Sequence, residues 1–493
     1  MNKLVSTRNS NYEVNYPEAI LKGISKDKGL FVPKSFKKID FSQEKFLSMS
    51  YEEYAFEILQ LFLDYLTKEE LEQIIAKSYR NKFDHKAIVP IKELNNESIV
   101  ELFHGPTLAF KDMALSILPN LLKSSKKYMN NQSKTVILTA TSGDTGKAAL
   151  EGFANIKGVE IIVFYPKNGV SPIQKKQMLT QEGKNVHVFG IEGNFDDAQS
   201  AVKELFNDIA FNKILNKNNF NFSSANSINI GRLLPQIVYY VSSYFELIRR
   251  KQIVFGEKVN FVVPTGNFGN ILAGKYAKNI GLPVKNFICA SNENNILTHF
   301  LNTGVYDLDR KFITTISPSM DILISSNLER LLFYLADNDA TKVNELMLQL
   351  KEDKKYSVDP SMLKKMEDFK GFYSTEKETK ETIKKIFDSH NYLIDPHTAV
   401  ACNVYSKYLE ETNDQTKTLI LSTASPFKFP KSVASAINLN DSLKDFELID
   451  HIAKEASIDI PKNIEALRNK KEIHKENIKI DEMKDNILKV LNI

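Results

Sequence analysis

What these 493 residues lack narrows the chain before anything else does. There are only two cysteines, Cys289 and Cys402. They are too few for a disulfide framework and show no metal-binding spacing. The 8 histidines are scattered, without an HExxH or CxxC companion, so each reads as a local hydrogen-bonding residue and not as a ligand. Tryptophan is absent, and the abundance of lysine, asparagine and isoleucine carries no functional content. No apolar run reaches the roughly 18 residues of a membrane-span candidate. The opening MNKLVSTRNSNYEV lacks the apolar centre of a signal peptide. An excess of one charge is missing too: 65 lysines and arginines face 61 acids, a net charge of +4. The basic residues alternate with acids, which gives no support to a nucleic-acid or membrane-surface partner. The expectation is a soluble protein of a reducing, cytoplasmic setting that acts on a small molecule.

What is present is a chain 42% hydrophobic, enough for more than one core. Short apolar runs at 99–103, 135–139, 158–165, 185–190, 259–264 and 417–421 alternate with stretches of helical spacing. That alternation predicts a parallel α/β architecture. Four segments follow. Residues 1–85 read as an N-terminal helical cap. Residues 86–230 and 231–430 read as two α/β domains, the second with a Lys/Glu-rich helical insertion at about 340–390 that shows no sheet signal. Residues 431–493 read as a charged helical tail on the surface.

Several turns in this pattern carry chemistry. In FHGPTLAFKD, Lys111 sits between Phe110 and a helix start. Desolvation there favours the neutral amine, a nucleophile able to form an imine with an aldehyde; alone, the residue reads equally as one more solvated lysine. In TATSGDTG, a strand runs through a glycine-rich turn into a helix. Thr141 stands where a P-loop needs glycine and Ala148 where it needs serine or threonine, which argues against a nucleoside triphosphate. The hydroxyls of Thr141, Ser142 and Thr145 are candidates for holding a carboxylate at the helix N-terminus. Asp144 is either a helix cap or a ligand contact. In NSINIGR, Asn226, Ser227 and Arg232 can face one anion, since an arginine fork matches phosphate oxygens; caps plus a surface arginine are the other reading. PTGNFGN repeats the strand, glycine loop and helix. It lacks GxGxxG spacing and an acid about 20 residues on, which disfavours a dinucleotide. Gly266, Asn267, Phe268, Gly269 and Asn270 form a loop able to wrap one phosphate with backbone amides. Thr423 places a hydroxyl at the C-terminal end of a strand, where open α/β sheets hold ligands.

The stretches HGPTLAFKD, TATSGDTG, EGNFDDAQ, NSINIGR, PTGNFGN, SPSMDI with SSNLER, DPHTAVA and LSTASPFKFP occur in that order. Together they resemble the threonine synthases, pyridoxal-phosphate enzymes of the tryptophan-synthase-β-like fold. The resemblance implies fold type II: two open parallel-rich sheets with helices on both faces. It implies that Lys111 holds pyridoxal 5'-phosphate as a Schiff base and that residues 266–270 bind the cofactor phosphate. Thr423 would meet the pyridine nitrogen. Asn226, Ser227 and Arg232 would hold the substrate phosphate, with Thr141, Ser142 and Thr145 near its carboxylate. The implied reaction converts O-phospho-L-homoserine and water into L-threonine and phosphate, in a monomer or homodimer. The sequence departs from the family at Ser425, where relatives usually have histidine, and at Phe427, where a small residue is usual. That keeps open a phospholyase of the same fold, which would yield 2-oxobutyrate. A non-catalytic sensor of a phosphorylated amino acid is the third reading; the intact Lys111 argues against it.

Overall fold

Two parallel-rich sheets carry the strand–helix alternation in a computed structural model that describes residues 3–94, 97–167, 169–193 and 195–493. The larger sheet has six strands in the order Phe369–Tyr373, Val284–Ser291, Val259–Pro264, Thr418–Ser422, Glu97–Glu101 and Ile91–Leu94. All its pairings are parallel except the last. The smaller sheet has five parallel strands in the order Asn477–Ile478, Val186–Ile191, Val159–Pro166, Lys134–Ala140 and Phe220–Ser224. The central strands are near-continuous apolar runs such as Val136–Ile137–Leu138 and Ile161–Ile162–Val163, all fully buried. Such runs belong to sheets covered by helices on both faces, and this is the expected architecture.

Local chemistry sets the helix starts. Asp395 accepts from the amides of His397 and Thr398, with Pro396 opening Pro396–Thr412. Ser171 forms a capping box with Gln174 at the head of Pro172–Leu179. The expected interruption near Pro119 is a break between Asp112–Leu115 and Leu118–Tyr128.

Four expectations need correction. The opening segment is not purely helical. Lys3–Ser6 pairs antiparallel with both Asn9–Asn15 and Phe31–Pro33, a hairpin hidden in the sequence because Asn9–Asn15 is mostly polar and buries only one of its seven residues. The strand before the lysine loop, Glu97–Glu101, does not join the sheet of residues 134–224. It pairs with Thr418–Ser422, so the two sheets interleave along the chain. The Lys/Glu-rich stretch contains Phe369–Tyr373, which adds an edge strand beside Val284–Ser291. Only two of its five residues are buried, so it shows no apolar run. The C-terminal stretch is more than a helical tail, because Asn477–Ile478 extends the smaller sheet.

Candidate active site

The loop carrying Lys111 is tied to the end of the strand carrying Thr423. Phe110 donates its amide to the Thr423 carbonyl at 2.9 Å, and Ser425 donates to the Leu108 carbonyl at 3.0 Å. The loop folds on itself through Asp112, whose carboxylate accepts from the Thr107 amide at 2.8 Å and hydroxyl at 2.6 Å. Gly105 allows this: a Cβ there would stand 2.5 Å from the Asp112 side chain. Burial raises the Asp112 carboxyl to about 6, against the pull of those Thr107 hydrogen bonds.

Lys111 is buried, with its ammonium 3.3 Å from Ser319 Oγ, 3.4 Å from Asp144 Oδ2 and 5.2 Å from the Phe110 ring centre. Burial drives its pKa below the ordinary lysine value. Asp144 opposes that, while the positive charges of Lys428 and Arg232 add to it. The shift is in the direction expected from the loop, toward the neutral, nucleophilic amine.

Asp144 is the first residue of the helix Asp144–Phe153, and Gly143 occupies the cap position. Its carboxylate forms an ion pair with the fully buried Lys428 at 2.6 Å and accepts from Gln174 Nε2 at 2.7 Å. Burial disfavours the charged carboxylate, but Lys428 and Lys111 outweigh it and hold the group well below the usual carboxylate range. Asp144 is thus neither a helix cap nor a free charge that would repel an anion. Thr141 Oγ1 accepts from the amides of Gly143 and Gly146 at 2.9 and 2.8 Å, which leaves its hydroxyl proton to donate outward.

Across the pocket, backbone and side-chain donors are left without partners. Among the described residues, nothing accepts from the amides of Gly266, Asn267, Phe268, Gly269 or Asn270. Phe268 adopts a left-handed conformation, φ 61°, at the head of the helix Gly269–Asn279. Gly266 must be glycine, since a Cβ would lie 2.6 Å from the Ser319 carbonyl. The Oδ1 of Asn270 accepts from the hydroxyls of Tyr239 and Tyr240 at 2.6 and 2.9 Å, while its buried Nδ2 has no partner. Arg232 lies in the short helix Ile230–Leu233, only 2% exposed. Its Nη1 donates to the Ala225 carbonyl at 3.0 Å and its Nε donates to nothing. No carboxylate pairs with it among the described residues, and burial lowers its pKa to about 10. Asn226 Oδ1 is likewise buried and unpartnered.

Every residue to which the resemblance gives a binding or catalytic role lines this one pocket: Lys111, Thr141, Ser142, Thr145, Asn226, Ser227, Arg232, the five residues 266–270, and Thr423; Asp144 does not. Ser319 and His397 line it too, and sequence reasoning gave neither a site role. His397 Nδ1 bonds to Asp395 at 2.6 Å, and its Nε2 accepts from the Ser319 amide at 3.2 Å. SPSMDI and DPHTAVA were the signal for both, as stretches with no single residue marked. Ser425 and Phe427 are buried but do not line the pocket. The departure from the family pattern therefore lies behind the site wall.

A nucleophilic lysine facing an amide-rich loop on a doubly covered α/β sheet defines the class: residues 99–424 match the family described as pyridoxal-phosphate dependent enzyme. Residues 3–79 match the threonine synthase N terminus, and residues 398–478 the threonine synthase C-terminal family. Threonine synthase of Schizosaccharomyces pombe is 40% identical over 466 residues, covering 88% of this chain and 89% of the relative. Human threonine synthase-like 1 is 39% identical over 443 residues, 86% of this chain but 58% of its own longer length. The crystal structure of PLP-bound threonine synthase from Brucella melitensis superimposes with a TM-score of 0.87 at 34% identity, over 99% of both chains. The chain belongs to the threonine synthase family.

Proposed function

We propose that this protein is a pyridoxal-phosphate-dependent threonine synthase, converting O-phospho-L-homoserine and water into L-threonine and phosphate. The observation that carries the reading is the pairing, in one pocket, of a desolvated Lys111 with two separate anion sites, the unpartnered amides at 266–270 and the unpaired guanidinium of Arg232. Two phosphates need two such sites, one for the cofactor and one for the substrate. No helix among the described residues is long and apolar enough to cross a membrane.

The five free amides at 266–270, at the positive end of Gly269–Asn279, suit the cofactor phosphate. The buried Nδ2 of Asn270 adds a neutral donor. Pyridoxal phosphate, when bound, supplies an aldehyde for amine capture and an electron-withdrawing ring. Thr423, at the end of Thr418–Ser422, offers a hydroxyl to the pyridine nitrogen. Lys111 would hold the cofactor through its aldehyde, and its amine would move protons at the substrate Cα and Cβ on its own face. Burial lowers its pKa and so favours the form of the amine that can accept a proton.

Arg232, with Asn226 and Ser227, holds the γ-phosphate and stabilises it as it leaves. The outward hydroxyl of Thr141, with Ser142 and Thr145, binds the substrate carboxylate at the head of Asp144–Phe153. The neutralised Asp144 lets that anion approach. The test is incubation with O-phosphohomoserine while phosphate, threonine and 2-oxobutyrate are all measured. Stoichiometric threonine and phosphate are expected. Phosphate with 2-oxobutyrate would make the protein a phospholyase, and no phosphate release would leave a binding protein.

A further inference from the structure

We propose that Asn327 couples the two anion-binding loops, so that a phosphate held at Arg232 tightens the cofactor held at 266–270. The proposal rests on the two-phosphate reading above. Asn327 precedes the helix Leu328–Leu335 and is fully buried. Its Nδ2 donates in two directions, to the Asn267 carbonyl at 2.8 Å and to Ser227 Oγ at 3.1 Å. Its own amide also donates to the Asn267 carbonyl at 3.1 Å. One side chain thereby joins a residue of each loop. The loops are in near contact at that point: a Cβ on Gly269 would stand 3.5 Å from both Asn327 Nδ2 and Ser227 Cβ.

The strut has a rigid base. Arg330 is fully buried, and its Nη1 donates to Asn327 Oδ1, which orients the amide so that Nδ2 faces the loops. The same guanidinium donates to the Ile228 carbonyl at 2.5 Å and to the Phe31 carbonyl at 3.0 Å. It thus ties the 226–232 loop to the N-terminal sheet. The two residues before Asn327 clamp the other loop: Ser325 Oγ donates to the Gly266 carbonyl at 2.7 Å, and Ser326 Oγ to Asn267 Oδ1 at 3.2 Å. With the carbonyls of Gly266 and Asn267 held from behind by residues 325–327, the amides of the loop are left for an anion.

A phosphate that orders the Ser227 side fixes the acceptor of one Asn327 hydrogen bond and so lowers the cost of ordering the Asn267 side. Linkage makes the effect reciprocal. Asn327 is on this view a positioning residue, acting through Asn267 and Ser227.

The experiment is equilibrium dialysis of the holoenzyme against a series of pyridoxal phosphate concentrations. It is run with and without inorganic phosphate at matched ionic strength. Phosphate competition with O-phosphohomoserine is measured in parallel. In the wild type, phosphate should compete with substrate and lower the cofactor Kd by about 5-fold or more, within the usual range of coupling between sites. In Asn327→Ala, phosphate should still compete with substrate while the cofactor Kd stops responding. Ser227→Ala removes the far end of the strut without touching its buried base; read at phosphate concentrations that saturate it in the parallel competition, its cofactor Kd should also stop responding if Asn327→Ala does not fold. A wild-type cofactor Kd indifferent to phosphate that does compete with substrate overturns the coupling and leaves the two-site reading intact. A full response retained in both variants overturns the role of Asn327. Phosphate that does not compete with substrate in the wild type overturns the two-site reading itself, and the coupling with it.

Discussion

The two ends of the pocket treat charge in opposite ways. At the lysine end, Lys111, Asp144 and Lys428 lie buried together, and each finds a partner: Asp144 pairs with Lys428 and lies 3.4 Å from Lys111 Nζ, and Lys428 also donates to the Thr107 carbonyl at 2.7 Å. At the phosphate end, Arg232 is as deeply buried and has no counter-ion among the described residues, while Asn226 and Asn270 each keep one unpartnered atom. A protein rarely leaves buried polar groups unpaired, because each costs a desolvation penalty. The contrast teaches where the ligand's own charge enters. The lysine end is complete without it; on the proposed reading, the unpaired Arg232 guanidinium and the Asn270 Nδ2 are completed by it.

The largest expected effect breaks the lysine end. Lys111→Ala removes both the covalent anchor and the proton carrier, a combination worth at least the 10²–10⁴-fold of acid–base catalysis alone. Turnover should become barely measurable, while some cofactor remains held through its phosphate at 266–270. Borohydride reduction of the yellow wild type followed by peptide mapping should place the adduct on Lys111. An adduct on another lysine would remove the residue from this role.

Lys428 tests whether that end is balanced by design. Lys428→Met leaves Asp144 buried with only the more distant Lys111 as a charged partner, and breaking a buried pair typically costs about 3–5 kcal/mol. A drop of that order should appear in denaturant unfolding. The variant also removes a positive charge that helps depress the Lys111 pKa and frees Asp144 to pair with Lys111. Both changes raise that pKa, so the acidic limb of the pH–rate profile should move to higher pH. An unmoved limb would mean that Lys428 is only packing.

Arg232 tests the incomplete end. Losing the partner of a buried anion costs about 2–5 kcal/mol, or roughly 30- to several-thousand-fold at about 1.4 kcal/mol per decade. Turnover of O-phosphohomoserine by Arg232→Ala should fall by that factor with the cofactor still bound. Because no carboxylate among the described residues depends on this guanidinium, the ligand-free variant should lose little more than the Ala225 hydrogen bond, about 0.5–1.5 kcal/mol. Inorganic phosphate should raise the Tm of the wild type and not of the variant. If the variant instead sheds cofactor and keeps its phosphate inhibition, the two phosphate assignments are reversed.

The same contrast explains what the sequence could disclose. The strand–loop–helix units announce themselves locally. β-branched runs such as residues 135–139 end in glycine- and hydroxyl-rich turns, so every residue given a binding or catalytic role could be named one loop at a time, and all of them meet in the pocket. The partners that make those residues work come from far along the chain. Lys428 reads as one lysine among many until burial sets it against Asp144, and Asn327 until its amide reaches Asn267 and Ser227. The strand Phe369–Tyr373 stayed hidden for a related reason. Its place depends on pairing with Val284–Ser291, while its lysine- and glutamate-rich surroundings have helical spacing. β-propensity is set by such neighbours more than by the segment itself.

The smallest expected effect lies at the seam between the two ends. Thr423 ends the strand Thr418–Ser422, and its carbonyl is already taken by the Phe110 amide of the lysine loop. Thr423 lines the pocket, and on the proposed reading its hydroxyl is a neutral partner for the pyridine nitrogen. Thr423→Val keeps the size and branching of the side chain and leaves the backbone bond in place, so the fold should survive. One neutral hydrogen bond contributes about 0.5–1.5 kcal/mol net, so cofactor affinity should weaken about tenfold or less. A hydroxyl that also sets the electron demand of the ring should matter more to the chemical step. The loss in kcat is therefore expected to exceed the loss in cofactor affinity, with a shifted cofactor absorption band. If spectrum, affinity and turnover all stay at wild-type values, Thr423 serves only to end its strand, and nothing at the seam tunes the ring.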